Sequence, residues 1–379
     1  MNKDSTLRVA LIGCGVRGTT VYLPVLRKMN CHFRPVAVCD PQKDRADAAA
    51  SFLRATAYND LDKLLDECRI DLAVVAVTPP PSHLNAAVAQ KCLEAGVNLL
   101  AETPIAPTLP EADKLIATAQ RTGAKVEIGE NYYRTPAELF KRSLIDAGVF
   151  GGIQVVYSDY VGHGYHGISL LRSYVGFDVD VTRVIGLTHE YPVQLHMYRE
   201  GEPWRDTESW QFGVLEFGNG AHGIFSFSTL AYYSPLRWGR EKCMVRFYAE
   251  RGMGAGNDLA ILHEGKETRP IGMRPRYATV DGQMTIAAIE SDLPGNPGWE
   301  NPLRDYGLLS GNQHDELTIG LELLSIYRAL VEGVEPEYGI FEARYDRQLD
   351  LAMSESWSNH GQPVLIEKRE LVRTAQNRS

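Results

Sequence analysis

Short apolar runs alternate with amphipathic stretches through the first third of the chain. The runs 7–13 (LRVALIG), 34–40 (RPVAVCD), 71–77 (DLAVVAV), 97–102 (VNLLAE) and 124–129 (AKVEIG) are nearly continuous in Val, Leu, Ile and Ala. Runs without polar alternation predict parallel strands buried on both faces. Between them lies a stretch after Gly18 with Val21, Leu23, Leu26 and Met29, followed by 61–68, 84–95 and 110–122, and these predict helices. Strand alternating with helix at this interval predicts an α/β fold, a Rossmann-type doubly wound parallel sheet. Ligands of such sheets lie at the carboxyl ends of the strands.

The first run leads into GCGVRG, so Gly13, Gly15 and Gly18 make G-x-G-x-x-G with Val16 and Arg17 between them. Gly13 suits the tight turn, Gly15 the approach of a pyrophosphate, and Gly18 close packing of helix on strand. The helix start then offers free N–H groups to phosphate. The second run ends in Asp40. An acid about twenty residues after the glycines accepts the adenosine ribose hydroxyls and repels a 2′-phosphate, so the expected cofactor is NAD rather than NADP. Later strand ends add Thr78, Pro79 and His83 from TPPPSH, Glu102 and Thr103 from AETP, and Asn131 to the cofactor-binding set.

Composition narrows the class. The 379 residues suffice for two domains, with 44% apolar and 23% charged residues. A net charge of −9, with Lys and Arg scattered, reads against nucleic-acid and anionic-membrane partners. There is no signal-peptide apolar region before the first strand and no run of membrane-spanning length, so a cytoplasmic location is expected. The six cysteines form no CxxC pair and read as buried, reduced thiols.

Several motifs carry a resemblance. The order GxGxxG, strand-ending Asp40, VTPPPSH, EAGVNLLAETPIA and ENYYRTP is similar to the glucose–fructose oxidoreductase / inositol dehydrogenase family (Gfo/Idh/MocA). The likeness continues in LFKRSLIDAGVFGGIQVV, YHGISLLRSYVG and the closing stretch 320–366. It implies a second domain with an open, mostly antiparallel sheet that holds a sugar or polyol. The expected divisions are 1–129 for the NAD domain, 130–366 for the substrate and oligomerisation domain, and 367–379 for a charged tail. The family usually has Glu-Lys-Pro where this chain has Glu102-Thr103-Pro104, and often an Asp where this chain has Gly162. Thr103 donates one neutral hydrogen bond and places no positive charge beside a developing alkoxide.

The resemblance maps the catalytic base to His166, in GHGYHG (162–167). His163 and Tyr165 of that stretch are candidate substrate contacts. ENYYRTP supplies Tyr133 as a second catalytic candidate, a proton relay, with Tyr132 and Arg134 as substrate contacts. Arg237, in the aromatic-rich AYYSPLRWGRE, is a further substrate contact in a stretch that also suits a subunit edge. His163 and His166 have no matching acid or Cys cluster, so no metal is expected. RGMGAGN (251–257) reads as a glycine-rich loop. Three functions stay open: an NAD-dependent dehydrogenase acting on a sugar, sugar acid or polyol hydroxyl; a glycoside hydrolase or lyase that oxidises a hydroxyl transiently, eliminates, and returns the hydride; and a nucleotide-bound sensor. A homodimer or homotetramer is expected from the family's exposed sheet.

Overall fold

In a computed structural model of the protein, residues 6–77, 82–197, 203–228, 244–311 and 315–369 are described below. They form two compact units. The first holds residues up to Pro136 with Arg276–Ala287 and Asn301–Arg347, and the second holds Ala137–Pro275, Ala288–Glu300 and the chain from Gln348 onward. The chain leaves the first unit after Pro136 and later returns to it. The break falls after Pro136 rather than after 129, and two later segments rejoin the first unit because their apolar faces pack there.

The first unit carries a six-stranded parallel sheet. Its strands are β1 (Leu7–Ile12), β2 (Phe33–Cys39), β3 (Thr56–Tyr58), β4 (Leu72–Val75), β5 (Asn98–Ala101) and β6 (Val126–Ile128). Their order is β3-β2-β1-β4-β5-β6, and the direction of winding reverses between β1 and β4. That reversal is where a doubly wound sheet opens a crevice. Every residue of β4 is buried, as are the last four of β1, which is why these strands read as unbroken apolar runs. The helices are α1 (Leu23–Lys28), α2 (Lys43–Leu53), α3 (Leu61–Glu67), α4 (Ser82–Glu94) and α5 (Leu109–Thr122). Thr108 caps α5 by accepting from the Glu111 N–H, and the helix ends at Gly123 in the left-handed region.

Helix α6 (Pro136–Asp146), strand β7 (Ile153–Asp159) and helix α7 (Gly164–Val175) open the second unit. Its sheet continues with β8 (Val181–Met197), β9 (Trp204–Phe217), β10 (His222–Ser228), β11 (Met244–Ala249), β12 (Gly252–Ala255), β13 (Asp258–His263) and β14 (Glu267–Ile271). Strands β15 (Met273–Val280), β16 (Gln283–Ser291) and β17 (Gly298–Glu300) make a separate three-stranded sheet. Helix α8 (Glu316–Val331) packs on β5, β6 and α1 of the first unit. Helix α9 (Ile340–Ser358) and strand β18 (Val364–Leu365) follow. The nine-stranded sheet runs β14-β13-β12-β11-β7-β10-β9-β8-β18. Its pairs are antiparallel except β7 with β10, so the open, mostly antiparallel sheet is present.

Three expectations change. The stretch 251–257 is not a loop, because Gly252–Ala255 is strand β12. A Cβ on Gly252 would lie 2.4 Å from the Phe150 ring, and one on Gly254 would lie 2.4 Å from the Phe247 ring. Aromatic rings cover these glycines and keep them in the sheet. The tail is also held at its start, where Arg369 pairs with Asp180 and donates to the Phe177 carbonyl at 2.5 Å. Among the thiols Cys14, Cys39 and Cys92 are buried, but Cys31 is exposed and Cys68 half-buried; Cys243 lies outside the described residues. No described helix is long and apolar enough to cross a membrane.

Candidate functional site

The glycine turn closes β1 onto its neighbours. Gly13 has φ +94 and donates its N–H to the Cys39 carbonyl at 2.9 Å. A Cβ on Gly13 would lie 2.8 Å from the Ala76 oxygen, and one on Gly18 would lie 2.0 Å from the Gly13 oxygen. Packing therefore forbids side chains at both positions. Gly15 differs, since a Cβ there would approach nothing nearer than Arg45 Nη1 at 3.9 Å. The protein itself leaves room at Gly15, on the side that a pyrophosphate needs, and the loop fits a dinucleotide. Val16 stands 80% exposed at the tip.

The chain leaves the loop through one wide π-helical turn, Gly18–Tyr22, in which Leu23 donates its N–H to the Gly18 carbonyl. Pro24 follows in the first turn of α1 and has no N–H to give to a normal α-helical partner. The wide turn points Tyr22 inward, where it is fully buried.

Asp40 ends β2 beside this loop and is 5% exposed. Its Oδ2 accepts the Cys14 N–H at 2.8 Å and its Oδ1 accepts the Gln42 N–H at 2.9 Å. A carboxylate oxygen has two lone pairs, so each keeps one for a ribose hydroxyl. Burial, with Asp40 nearby, pushes the Cys14 thiol up to about 12, so it stays protonated.

The strand end at AETP builds a charged cluster. Glu102 is buried, and its Oε1 accepts from Arg17 Nε at 2.6 Å and from the Tyr22 hydroxyl at 2.7 Å. Its backbone carbonyl accepts from Asn85 Nδ2 at 2.8 Å. Burial opposes the charge on Arg17, but Glu102, Tyr22 and Glu322 together outweigh it and raise the guanidinium pKa. Arg17 and Glu102, both expected at the cofactor, are thus brought together. Thr103 is half-buried, and its bond to Pro104 is cis. His83 is exposed, with Nδ1 3.0 Å from Glu111 Oε1, and so sits at the first turn of α5. Thr78 and Pro79 lie outside the described residues.

The ENYYRTP segment requires a correction. Asn131, Tyr132, Tyr133 and Arg134 are all buried, the last three in a single 3-10 turn. The Tyr133 hydroxyl accepts from Arg134 Nε at 3.1 Å and Nη2 at 2.9 Å. Arg134 Nη2 also reaches Glu127 Oε1 at 2.5 Å, and Glu127 Oε2 accepts from Ser325 Oγ at 2.7 Å. Arg134 is fully buried, so it ties β6 to α8 instead of meeting substrate. Tyr133 is its acceptor, and Tyr132 is 3% exposed in the same turn.

In the second unit, His166 lies in the first turn of α7 and is 8% exposed, while His163 occupies the N-cap position. The rings cluster: His163 to His166 at 4.9 Å, Tyr165 to His166 at 4.4 Å, and His163 to Phe227 at 5.7 Å between centroids. His163 and Tyr165 are half-buried. The three predicted residues of GHGYHG are therefore together. Gly162 has no room for a side chain, since a Cβ would lie 3.0 Å from the Gly167 nitrogen. A carboxylate does stand against this turn: Asp350 of α9, 2.9 Å from where a Gly164 Cβ would be. Arg237 lies outside the described residues.

Four residues escaped sequence reasoning: Tyr22, Asn85, Glu322 and Asp350. Glu322 had a visible signal, a lone carboxylate in the apolar GLELLSIY.

Residues 7–130 match the model of an oxidoreductase family with an NAD-binding Rossmann fold, the Gfo/Idh/MocA model. The chain is 26% identical to inositol 2-dehydrogenase 2 of Saccharopolyspora erythraea over 287 residues, covering 72% of this chain and 81% of that protein. An oxidoreductase domain protein from Kribbella flavida superposes with a TM-score of 0.70 at 19% identity, over 96% of this chain and all of that one. Levoglucosan dehydrogenase, solved with NADH and levoglucosan, superposes with a TM-score of 0.69 at 18% identity over the same shares. Fold, glycine loop and family match agree over residues 7–130: this part of the chain is an NAD-binding Rossmann domain of the Gfo/Idh/MocA oxidoreductase type.

Proposed function

We infer that the protein oxidises or reduces a hydroxyl of a sugar, sugar acid or related polyol with NAD as its cofactor. The observation that carries this reading is the His163–Tyr165–His166 ring cluster on the first turn of α7, in a chain whose other unit has the NAD fold. Bound NAD supplies hydride exchange at the nicotinamide. His166 takes and returns the proton of the reacting hydroxyl at an imidazole nitrogen. His163 and Tyr165 hydrogen-bond neighbouring hydroxyls. Gly15 admits the pyrophosphate, Asp40 accepts the adenosine ribose hydroxyls, and Thr103 donates a neutral hydrogen bond at the strand end. Relatives named for inositol and levoglucosan support the polyol class.

Thr103 favours a second reading. Without a cation at this position, transient oxidation followed by elimination of a glycosidic group and return of the hydride suits the His and Tyr side chains, and consumes no NAD overall. One assay separates the two. Sugars, sugar acids and aryl glycosides are incubated with and without NAD while NADH absorbance and aglycone release are followed together. NADH rising in step with substrate loss establishes the dehydrogenase; aglycone release without net NADH establishes the cleavage reaction.

Assembly is part of the reading. Leu187 pairs with Phe212 and His189 with Trp210 across β8 and β9, on a face where Leu187, Tyr191 and Phe212 are exposed. Apolar cross-strand pairs in water support a homodimer or homotetramer through this sheet.

A further inference from the structure

Helix α8 places a carboxylic acid where the family reading assigns no role. Glu322 is fully buried in the first unit. Its Oε2 lies 3.4 Å from the Tyr22 hydroxyl, the same hydroxyl that donates to Glu102 Oε1 at 2.7 Å. Its Oε1 has no hydrogen-bond partner among the described residues. Gly129 lets the three groups meet: a Cβ there would lie 2.9 Å from the Tyr22 oxygen and 3.3 Å from Glu322 Oε2.

The protons can be assigned. Tyr22 has one hydroxyl proton, and the short contact assigns it to Glu102. The phenol oxygen then has only lone pairs to offer Glu322. A carboxylate facing those lone pairs repels them, whereas a carboxylic acid donates to them. The hydrogen bonds therefore run in one direction, from Glu322 to Tyr22 to Glu102, and Arg17 donates to Glu102 from the loop side.

We propose that Glu322 is a positioning residue for the dinucleotide: as a neutral acid it orients the Tyr22 hydroxyl, which holds Glu102 and, through it, Arg17 of the glycine loop. This rests on the reading of that loop as the NAD site. The surroundings agree. Burial raises the Glu322 pKa well above the usual carboxyl value; Glu102 and Glu127 add to the rise, while Arg134 and Arg17 oppose it. Those residues and Tyr22 come from the loop and its π turn, the residue after β5, β6 and the turn after β6.

The test is NAD affinity by fluorescence titration, with thermal melting as a check on folding. Glu322→Gln keeps a donor for Tyr22 and holds the NAD dissociation constant within about twofold of wild type. Glu322→Ala and Tyr22→Phe each break the chain and weaken binding about tenfold. Where Glu322→Ala does not fold, Tyr22→Phe alone decides. Wild-type affinity in Tyr22→Phe, or equal losses in Gln and Ala, overturns the proposal. Failure of the wild type to bind NAD would overturn the loop reading instead, so the two are distinguishable.

Discussion

The two sheets of this protein solve burial in opposite ways. In the parallel sheet, β4 is buried throughout and the last four residues of β1 are buried in succession. In the large sheet, β7 alternates along Ile153–Asp159, and much of β8 beyond Leu187 is exposed on both faces. Both faces of the first are covered, so its strands tolerate little, whereas Gly15 in the loop after β1 keeps room for a Cβ. The second leaves one face open, and the side chains proposed for catalysis sit on α7, which packs against β7 and β10. The difference teaches that the first sheet is fixed by packing and the second by what it must meet.

Substitutions test that contrast. His166→Ala has the largest effect, a fall of about 100- to 10,000-fold in kcat with the NAD dissociation constant unchanged. Near wild-type turnover would remove His166 from the mechanism. Next, Gly18→Ala drives a Cβ into the Gly13 carbonyl, where only backbone can yield, and costs about 3 kcal/mol or more in urea unfolding. Gly254→Ala meets the Phe247 ring, which can turn aside, and costs about 1–3 kcal/mol. Equal losses would erase the contrast between the sheets.

Asp40→Ala removes the acceptor of two backbone N–H groups and of the ribose, and raises the NAD dissociation constant about 30-fold by calorimetry. The pH dependence of Glu322 comes next. Its folded pKa is raised, so the folded chain keeps a proton that the unfolded chain loses above about pH 4.3, and this group lowers stability as pH rises from there toward its folded pKa. Glu322→Gln should therefore melt like wild type near pH 4 and at a higher temperature than wild type at pH 8. A difference independent of pH would show that Glu322 is ionised when folded. The smallest effect on stability belongs to Leu187→Glu with Phe212→Glu: within about 0.5 kcal/mol per monomer, but a shift to monomer in sedimentation. An unchanged oligomer would place the interface elsewhere.

Legibility followed the same divide. Strands β1, β4 and β5 stood out because residues buried on both faces leave no polar interruptions. Helix α2 and strand β3 went unread, since α2 is an alanine-rich surface helix and β3 has three residues. Strand β12 looked like a loop because glycine normally weakens strands, and only the rings of Phe150 and Phe247 explain why it does not here. Arg134 looked like a ligand contact because it follows a strand end; Glu127 of β6 accepts from it, and Glu127 is held in turn by Ser325 of a helix nearly two hundred residues further on.

The sequence alone determined the Rossmann class, the glycine loop, the placing of Asp40 at the end of β2 and the GHGYHG cluster, because each depends on short-range spacing along one strand, turn or helix. Tertiary structure decided which polar residues face a ligand and which are locked away. Glu322, Tyr22 and Glu102 are far apart in the chain, and so are Asp350 and Gly164. Their chemistry arises only when separate elements bring carboxyl and hydroxyl within a few ångströms in a medium too dry to screen them.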